Sequence, residues 1–452
     1  MSQRRILSII LRLLLVCVLT SCVIGSPLPA GLPAPTSSAM PERTVATAWF
    51  DLYLYLIQQT EGFTPPVAAR ALGYAGVTLY EAVAPGLPNH RSLVGQLHEL
   101  TALPQPDAAQ PYHWPAVANS ALATLAHELF FNATRDNRAL IGGLHDQLLL
   151  TWQTDVDEPT LTRSAAHGEA LAETIYRWSM SDGGHKGQLT NVPLDFLPAT
   201  GVGLWRPTPP KFQQIPMQPY WADNRPFILA PGSCEPPPPP DYSEAQDSLF
   251  YQQALEVYQT VRNLTPAQRT IALYWADDPG RTMTPPGHSI ALATQVLQEQ
   301  NASLALAAET YAKVGMVVAD AFIGCWQTKF KYNLVRPLTY IQQVLDPTWN
   351  NPQLTDPVTT PPFPEYTSGH SVQSSATAVI LTSLFGEGYP ITDHTQDKRG
   401  FLPRSYTSFD ALAEEAAISR LYGGIHYRAA IEAGLAQGRC IGQQVLALQF
   451  GR

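Results

Sequence analysis

Charge is scarce in this sequence. Asp, Glu, Lys and Arg make up 14% of the 452 residues, against 45% for the hydrophobic types. The balance is acidic, with a formal net charge of −9, and no basic run occurs after Arg5. That argues against a nucleic-acid partner, because binding a phosphate backbone needs clustered Lys and Arg. Cysteine is sparse too. Of the five, Cys17 and Cys22 lie in or beside the N-terminal apolar segment, so Cys234, Cys325 and Cys440 allow at most one disulfide. Cys325 and Cys440 stand in apolar helical contexts and read as core residues, and no Cys/His cluster has zinc spacing. Alternating polar and apolar runs are few, and no repeat with a period of roughly 20–50 residues is present. Sheet sandwiches and solenoids are therefore poor fits.

Long apolar runs are confined to the N-terminus. Arg4 and Arg5 precede the apolar stretch Ile6–Leu19, which is too short to span a bilayer comfortably. It closes on Leu19-Thr20-Ser21-Cys22, which resembles a bacterial lipobox. The resemblance implies a signal peptide over residues 1–22, lipidation at Cys22, and a protein held at the cell envelope or its extracellular face by that lipid alone. A plain signal peptide is the alternative. Residues 23–44 then form a Pro/Ser/Gly-rich tether.

Proline is plentiful, at 41 residues, and helical periodicity dominates between the prolines. Apolar stripes predict helices over 45–59, 67–83, 114–133, 138–153 and 161–179, an N-terminal bundle spanning 45–182. Residues 183–242 are rich in Pro and Gly and form a long connecting loop, of the kind that is functional or wraps a surface. Helices resume over 243–262, 266–276, 289–300, 302–328, 368–385, 409–422 and 427–450, a C-terminal bundle within 243–452. The fold class is all-α, with helical bundles joined by long Pro/Gly-rich loops.

Three stretches of the C-terminal bundle converge on one chemistry. Lys329 and Arg336 are seven positions apart, and Pro337 puts Arg336 on the exit of its helix. Ser368-Gly369-His370 follows the proline-paced approach Pro361-Pro362-Phe363-Pro364-Glu365-Tyr366 and opens a helix, with Thr367 or Ser368 at the N-cap. A helix N-terminus suits an oxyanion, and Gly369 lets the backbone approach it closely. Arg420 and His426 flank Gly423-Gly424, which breaks the helix and turns both inward. Together these supply three cations, a hydroxyl, glycine N–H groups and two histidines, the complement a tetrahedral oxyanion needs. Each fragment alone fits a solvated cationic face or a core histidine, but all three in one order do not.

Lys-x6-Arg-Pro, Ser-Gly-His and Ser-Arg-x5-His form the three-part signature of the vanadium-dependent haloperoxidase and type 2 phosphatidic acid phosphatase superfamily, and this sequence resembles the haloperoxidase branch. The resemblance implies an all-α fold and vanadate as cofactor, with phosphate able to occupy the same site. Lys329, Arg336, Ser368, Gly369 and Arg420 would hold the oxygens. His426 would be the metal ligand, His370 the acid–base partner, and Lys329 would activate peroxide. Hydrogen peroxide, halide and a small organic acceptor are the implied partners, with bromide, and possibly chloride, as the halide and Phe363 at the selectivity position. Acid phosphatase action through a phosphohistidine at His426 is one alternative; a non-catalytic oxyanion-binding lipoprotein is the other.

Two departures stand out. Thr367 occupies a position where the family usually has proline, which is expected to loosen the turn. Ala430 stands where the third block often carries an aspartate, and Glu432 is out of register to replace it. A carboxylate on the second ring nitrogen would fix the tautomer of His426, so another acid or a backbone carbonyl must take that place. For the anchor, Cys22→Ser is expected to release the protein from membranes or block its processing. Mass spectrometry showing an unmodified Cys22 and cleavage elsewhere would remove the lipid anchor.

Overall fold

The computed structural model describes residues 41–349 and 358–451. The leader, Cys22 and the tether as far as Met40 lie outside them. In chain order the helices are α1 (Thr44–Gln59), α2 (Pro65–Val83), α3 (Trp114–Leu129), α4 (Arg135–Trp152) and α5 (Glu158–Ser179), followed by α6 (Leu249–Arg262), α7 (Pro266–Tyr274), α8 (Thr284–Glu299), α9 (Leu304–Tyr332) and the short α10 (Pro337–Tyr340). Then come α11 (Gly369–Phe385), strands β1 (Ile391–Asp393) and β2 (Arg404–Tyr406), α12 (Phe409–Tyr422) and α13 (Arg428–Leu446). The two strands pair antiparallel with Thr392 opposite Ser405, and the rest of the regular structure is helical, as the periodicity predicts.

Helix starts follow their caps. Thr134, Asp157, Ser248, Thr265, Ser303, Ser368 and Ser408 each accept a backbone N–H from the first turn of the helix they precede. Two expectations shift for this reason. The helix expected from residue 243 begins at Leu249, where the Ser248 hydroxyl accepts the Tyr251 N–H. The helix expected from residue 289 begins at Thr284, so that Thr284-Pro285-Pro286 forms the first turn of α8, where a missing proline N–H costs nothing.

The core centres on α9, buried along most of its 29 residues and crossed by the almost wholly buried α2. The crossing is close because both helices put glycine there. A Cβ at Gly76 would lie 2.4 Å from the Tyr311 carbonyl oxygen, and one at Gly315 2.5 Å from that of Leu72. From α1, Phe50 stacks on Tyr311 with ring centroids 3.8 Å apart. Held this way, α9 presents its last turn, and the buried Lys329, to the segment 364–367.

Residues 183–242 wrap along α9 as short turns. Midway along the helix, the buried Asp320 carboxylate accepts the N–H groups of Phe227, Ile228 and Leu229 at 2.7–2.9 Å. Burial lifts its pKa to about 6, with those N–H groups pulling it down. Nearer the end of α9, Trp205 N–H donates to Asn333 and Met217 N–H to Pro362. Cys234 of this loop is disulfide-bonded to Cys440. That corrects the reading of Cys440 as a core residue: α13 buries Gln437, Gly438 and Ile441 and leaves Arg439 and Cys440 outside. Cys325 is a buried free thiol, as expected. Cys440→Ser should cost about 2–4 kcal/mol, measured as a lower denaturant midpoint that added reductant does not lower further.

Candidate functional site

Four chain segments meet at the C-terminal end of α9. Lys329 lies in its last turn, and Asn333, in the left-handed region at φ 47°, ends the helix and sends Leu334 and Val335 toward Arg336 at the N-cap of α10. Residues 361–368 enter from the other side, and Ser368 caps α11. Arg420 closes α12, and the turn through Gly424, at φ 72°, places His426 ahead of α13.

Lys329 is fully buried, and its ammonium donates to the carbonyls of Pro364, Glu365 and Thr367 at 3.0, 2.9 and 2.5 Å. An ammonium has three protons, so all are in use. Burial lowers its pKa to about 8. Arg336 donates from Nε to Phe363 O at 2.9 Å, and from Nη1 to Ile425 O at 2.9 Å and to His426 Nε2 at 3.2 Å. Its Nη2 is buried with no hydrogen-bond partner. Arg420 donates from Nη2 to Ala272 O and from Nε to Ser419 Oγ. Burial lowers both guanidinium pKa values to about 10, which leaves them charged at neutral pH.

The partners of His426 fix its proton. A guanidinium can only donate, so Nε2 accepts from Arg336 and the ring proton sits on Nδ1. That proton goes to Glu365 Oε1 at 2.8 Å. Burial first, then Arg336, Lys329 and Arg420, drive the imidazole well below its usual pKa, so the ring is neutral. Glu365 is fully buried; its Oε1 also accepts the Tyr427 N–H at 2.8 Å, and its Oε2 has no partner. Burial raises its pKa to about 7, against the pull of Arg336 and Lys329.

The remaining expected residues are here as well. Ser368 Oγ accepts the Ser371 N–H, which leaves the hydroxyl proton for another acceptor. Gly369 is the first residue of α11, where N–H groups lack an intrahelical acceptor. A Cβ on Gly369 would meet nothing closer than Phe322 and Cys325, at 3.8 and 3.9 Å, so protein crowding is not what requires glycine. His370 is half-buried, bonds the Trp275 backbone, and has an unpartnered, buried Nε2. Burial and Arg420 hold its pKa well below the usual range. The half-buried Phe363 ring lies 5.0 Å from Trp326 and 5.2 Å from Lys329 Nζ, forming an apolar wall beside the cations.

Thr367 does not loosen its turn. It is fully buried, its hydroxyl donates to Gln437 Oε1 at 2.7 Å, and its carbonyl takes the Lys329 proton. Ala430 is an apolar contact in a cluster with Tyr427, Tyr366 and Ile431. The carboxylate against His426 comes from Glu365 instead, a contact that the sequence reading missed. The available signal was a lone acid inside a proline-paced apolar segment of a charge-poor chain.

A second buried network lies behind His370 and was not foreseen. His288 Nδ1 meets Asp277 Oδ2 and its Nε2 meets Asp393 Oδ2, each at 2.8 Å, and the ring stacks on Trp275 at 4.5 Å. Gln396 donates to the other Asp277 oxygen. Burial opposes the charge on His288, but the two carboxylates outweigh it and raise its pKa from 6.5 to about 10. The raised folded-state value sets the sign. The stability this imidazolium contributes is complete below about pH 6.5, declines above it, and is gone once pH passes about 10. His288→Asn should therefore cost about 3–5 kcal/mol near pH 6. The gap between wild-type and variant melting temperatures should close as pH approaches 10.

Residues 309–450 match the family model of the VCPO second helical-bundle domain. A solved structure described as the first bacterial vanadium-dependent iodoperoxidase is 36% identical, covering 93% of this chain and 99% of that one, with a TM-score of 0.81. An apo-type bacterial vanadium-dependent chloroperoxidase shares the fold at 16% identity and a TM-score of 0.63, over 85% of this chain and 94% of that one. The vanadium chloroperoxidase of Curvularia inaequalis is 24% identical over 80% of this chain and 74% of its own length.

Proposed function

Because this chain belongs to the vanadium-dependent haloperoxidase family, we propose that it oxidises halide with hydrogen peroxide, using vanadate held in the cation cluster around His426. The observation that carries this reading is the tautomer of His426. Its Nε2 lone pair faces a buried cluster in which Arg336 Nη2 and His370 Nε2 have no partner. A neutral imidazole whose lone pair is held only by a replaceable hydrogen bond from Arg336 can serve as a metal ligand, and the unpaired buried Arg336 Nη2 beside it fits an oxygen of an anion.

In this role His426 Nε2 would be the ligand atom, and Arg336 Nη2, the Ser368 hydroxyl, the Gly369 N–H and Arg420 would donate to the oxygens. Lys329 contributes its positive charge and holds the 364–367 turn in place, since its protons are taken by carbonyls. Neutral His370 accepts or returns a proton at Nε2. Bound vanadate would supply Lewis-acid activation of peroxide. Phe363 and Trp326 wall one side of the cluster against water.

Iodide and bromide are the proposed halides. The likeness to an iodoperoxidase supports iodide, and the wall formed by Phe363 does not by itself rank one halide over another. The organic acceptor is a small, activated carbon acid. Phosphomonoester hydrolysis through His426 is the second reading, and the Glu365 carboxylate on its Nδ1 favours it. The full set of site residues argues against a non-catalytic oxyanion binder. We place the protein at the cell envelope, on the strength of its lipobox-like N-terminus.

Purified protein supplied with vanadate, peroxide and iodide or bromide should halogenate an activated carbon acid, with activity rising on vanadate addition. His426→Ala should weaken vanadate retention by more than the roughly 10–100-fold typical of losing a partner one shell out. Fast phosphomonoester turnover without any vanadate-dependent halogenation, from mildly acidic to neutral pH, would overturn the peroxidase in favour of the phosphatase.

A further inference from the structure

We propose that Glu365 is the positioning residue for His426, supplying across the ring the carboxylate that Ala430 cannot. The proposal deepens the reading above and rests on it in one respect: His426 Nε2 is the atom that meets the oxyanion.

Glu365 Oε1 accepts two protons from consecutive residues, the His426 ring N–H and the Tyr427 backbone N–H, both at 2.8 Å. One oxygen thus ties the ring to the backbone that follows it, fixing the orientation of the imidazole as well as its tautomer. The backbone that carries this carboxylate is itself held. The Glu365 N–H donates to Leu334 O at 3.0 Å, and its carbonyl accepts from Lys329 at 2.9 Å. Of the two groups that meet this oxygen, the Tyr427 N–H can only donate. Without Glu365, Nδ1 would have no acceptor, and the proton could move to Nε2, where it would face the Arg336 guanidinium.

Position 430 cannot share this task. Ala430 is fully buried in an apolar cluster, and its carbonyl is committed to the Ser368 N–H at 3.0 Å. The acid therefore reaches His426 from the segment that leads into Ser-Gly-His. One stretch of chain supplies the wall at Phe363, the orienting carboxylate at Glu365 and the anion-facing cap at Ser368.

The test uses the full-length, uniformly 15N-labelled protein as wild type, Glu365→Gln and Glu365→Ala. Two quantities are read: the tautomer of His426 from long-range 1H–15N spectra, assigned by loss of the signals in His426→Gln, and the dissociation constant for vanadate alone. Wild type should show the proton on Nδ1. Glu365→Gln keeps an acceptor oxygen of the same shape, so it should keep that tautomer and bind vanadate about 10–100-fold more weakly, as orienting partners of metal ligands do. Glu365→Ala should lose the fixed tautomer and bind more weakly still. A wild-type spectrum with the proton on Nε2 overturns the proposal and needs no variant to fold. So do folded variants whose tautomer and vanadate affinity match wild type. Failure of wild type to bind vanadate, with the tautomer still lost in Glu365→Ala, would sink the proposed function and leave the positioning role standing.

Discussion

The structure depends on one buried ammonium. Lys329 gives its three protons to carbonyls of Pro364, Glu365 and Thr367, and so fastens the approach segment to the end of α9. A buried lysine is costly unless its donors are all met. Meeting them with carbonyls of a single short segment makes the cost a constraint on shape. Phe363, Glu365 and Ser368 lie within or beside that segment, so the wall, the carboxylate and the helix cap take their positions from the same contact. The cation recognisable as an oxyanion donor is in this structure first a clamp on backbone.

The remainder of the fold serves to hold α9 in position. The glycines at its crossing with α2 let the two backbones approach closely, and Asp320 collects three N–H groups of the returning loop. Scarcity of charge over the whole chain is matched by its use inside. Arg70 with Asp182, His288 between Asp277 and Asp393, and Glu365 with Arg336 and Lys329 all lie in the interior. Each carries a desolvation cost, and each joins segments far apart in sequence.

Much of this was legible in the sequence, for identifiable reasons. Helices announce themselves by period and cap, so the all-α class and most helix bounds could be read directly. Lys329, Arg336, Ser368, Gly369, His370, Arg420 and His426 stand in short blocks with fixed spacing, and the structure brings them together. What could not be read was pairing between blocks. Glu365 looked like part of a stiff approach because its partner, His426, lies 61 residues on. Asp277 and Asp393 flank His288 from segments separated by whole helices, and Cys440 looked apolar until α13 showed which face it turns to solvent. Local pattern carries element type and motif; it does not carry which distant side chain completes a hydrogen bond.

The position of Glu365 bears on how the cradle is assembled. Its backbone is fixed by the end of α9 and by Leu334, while its side chain bonds the start of α13. The lone pair of His426 is therefore aimed only when three stretches distant in sequence have come together. No single helix or hairpin can carry a partial version of the site. Oxyanion affinity should rise and fall with the cooperative folding unit as a whole, so the ligand reports on native structure across the C-terminal half of the chain.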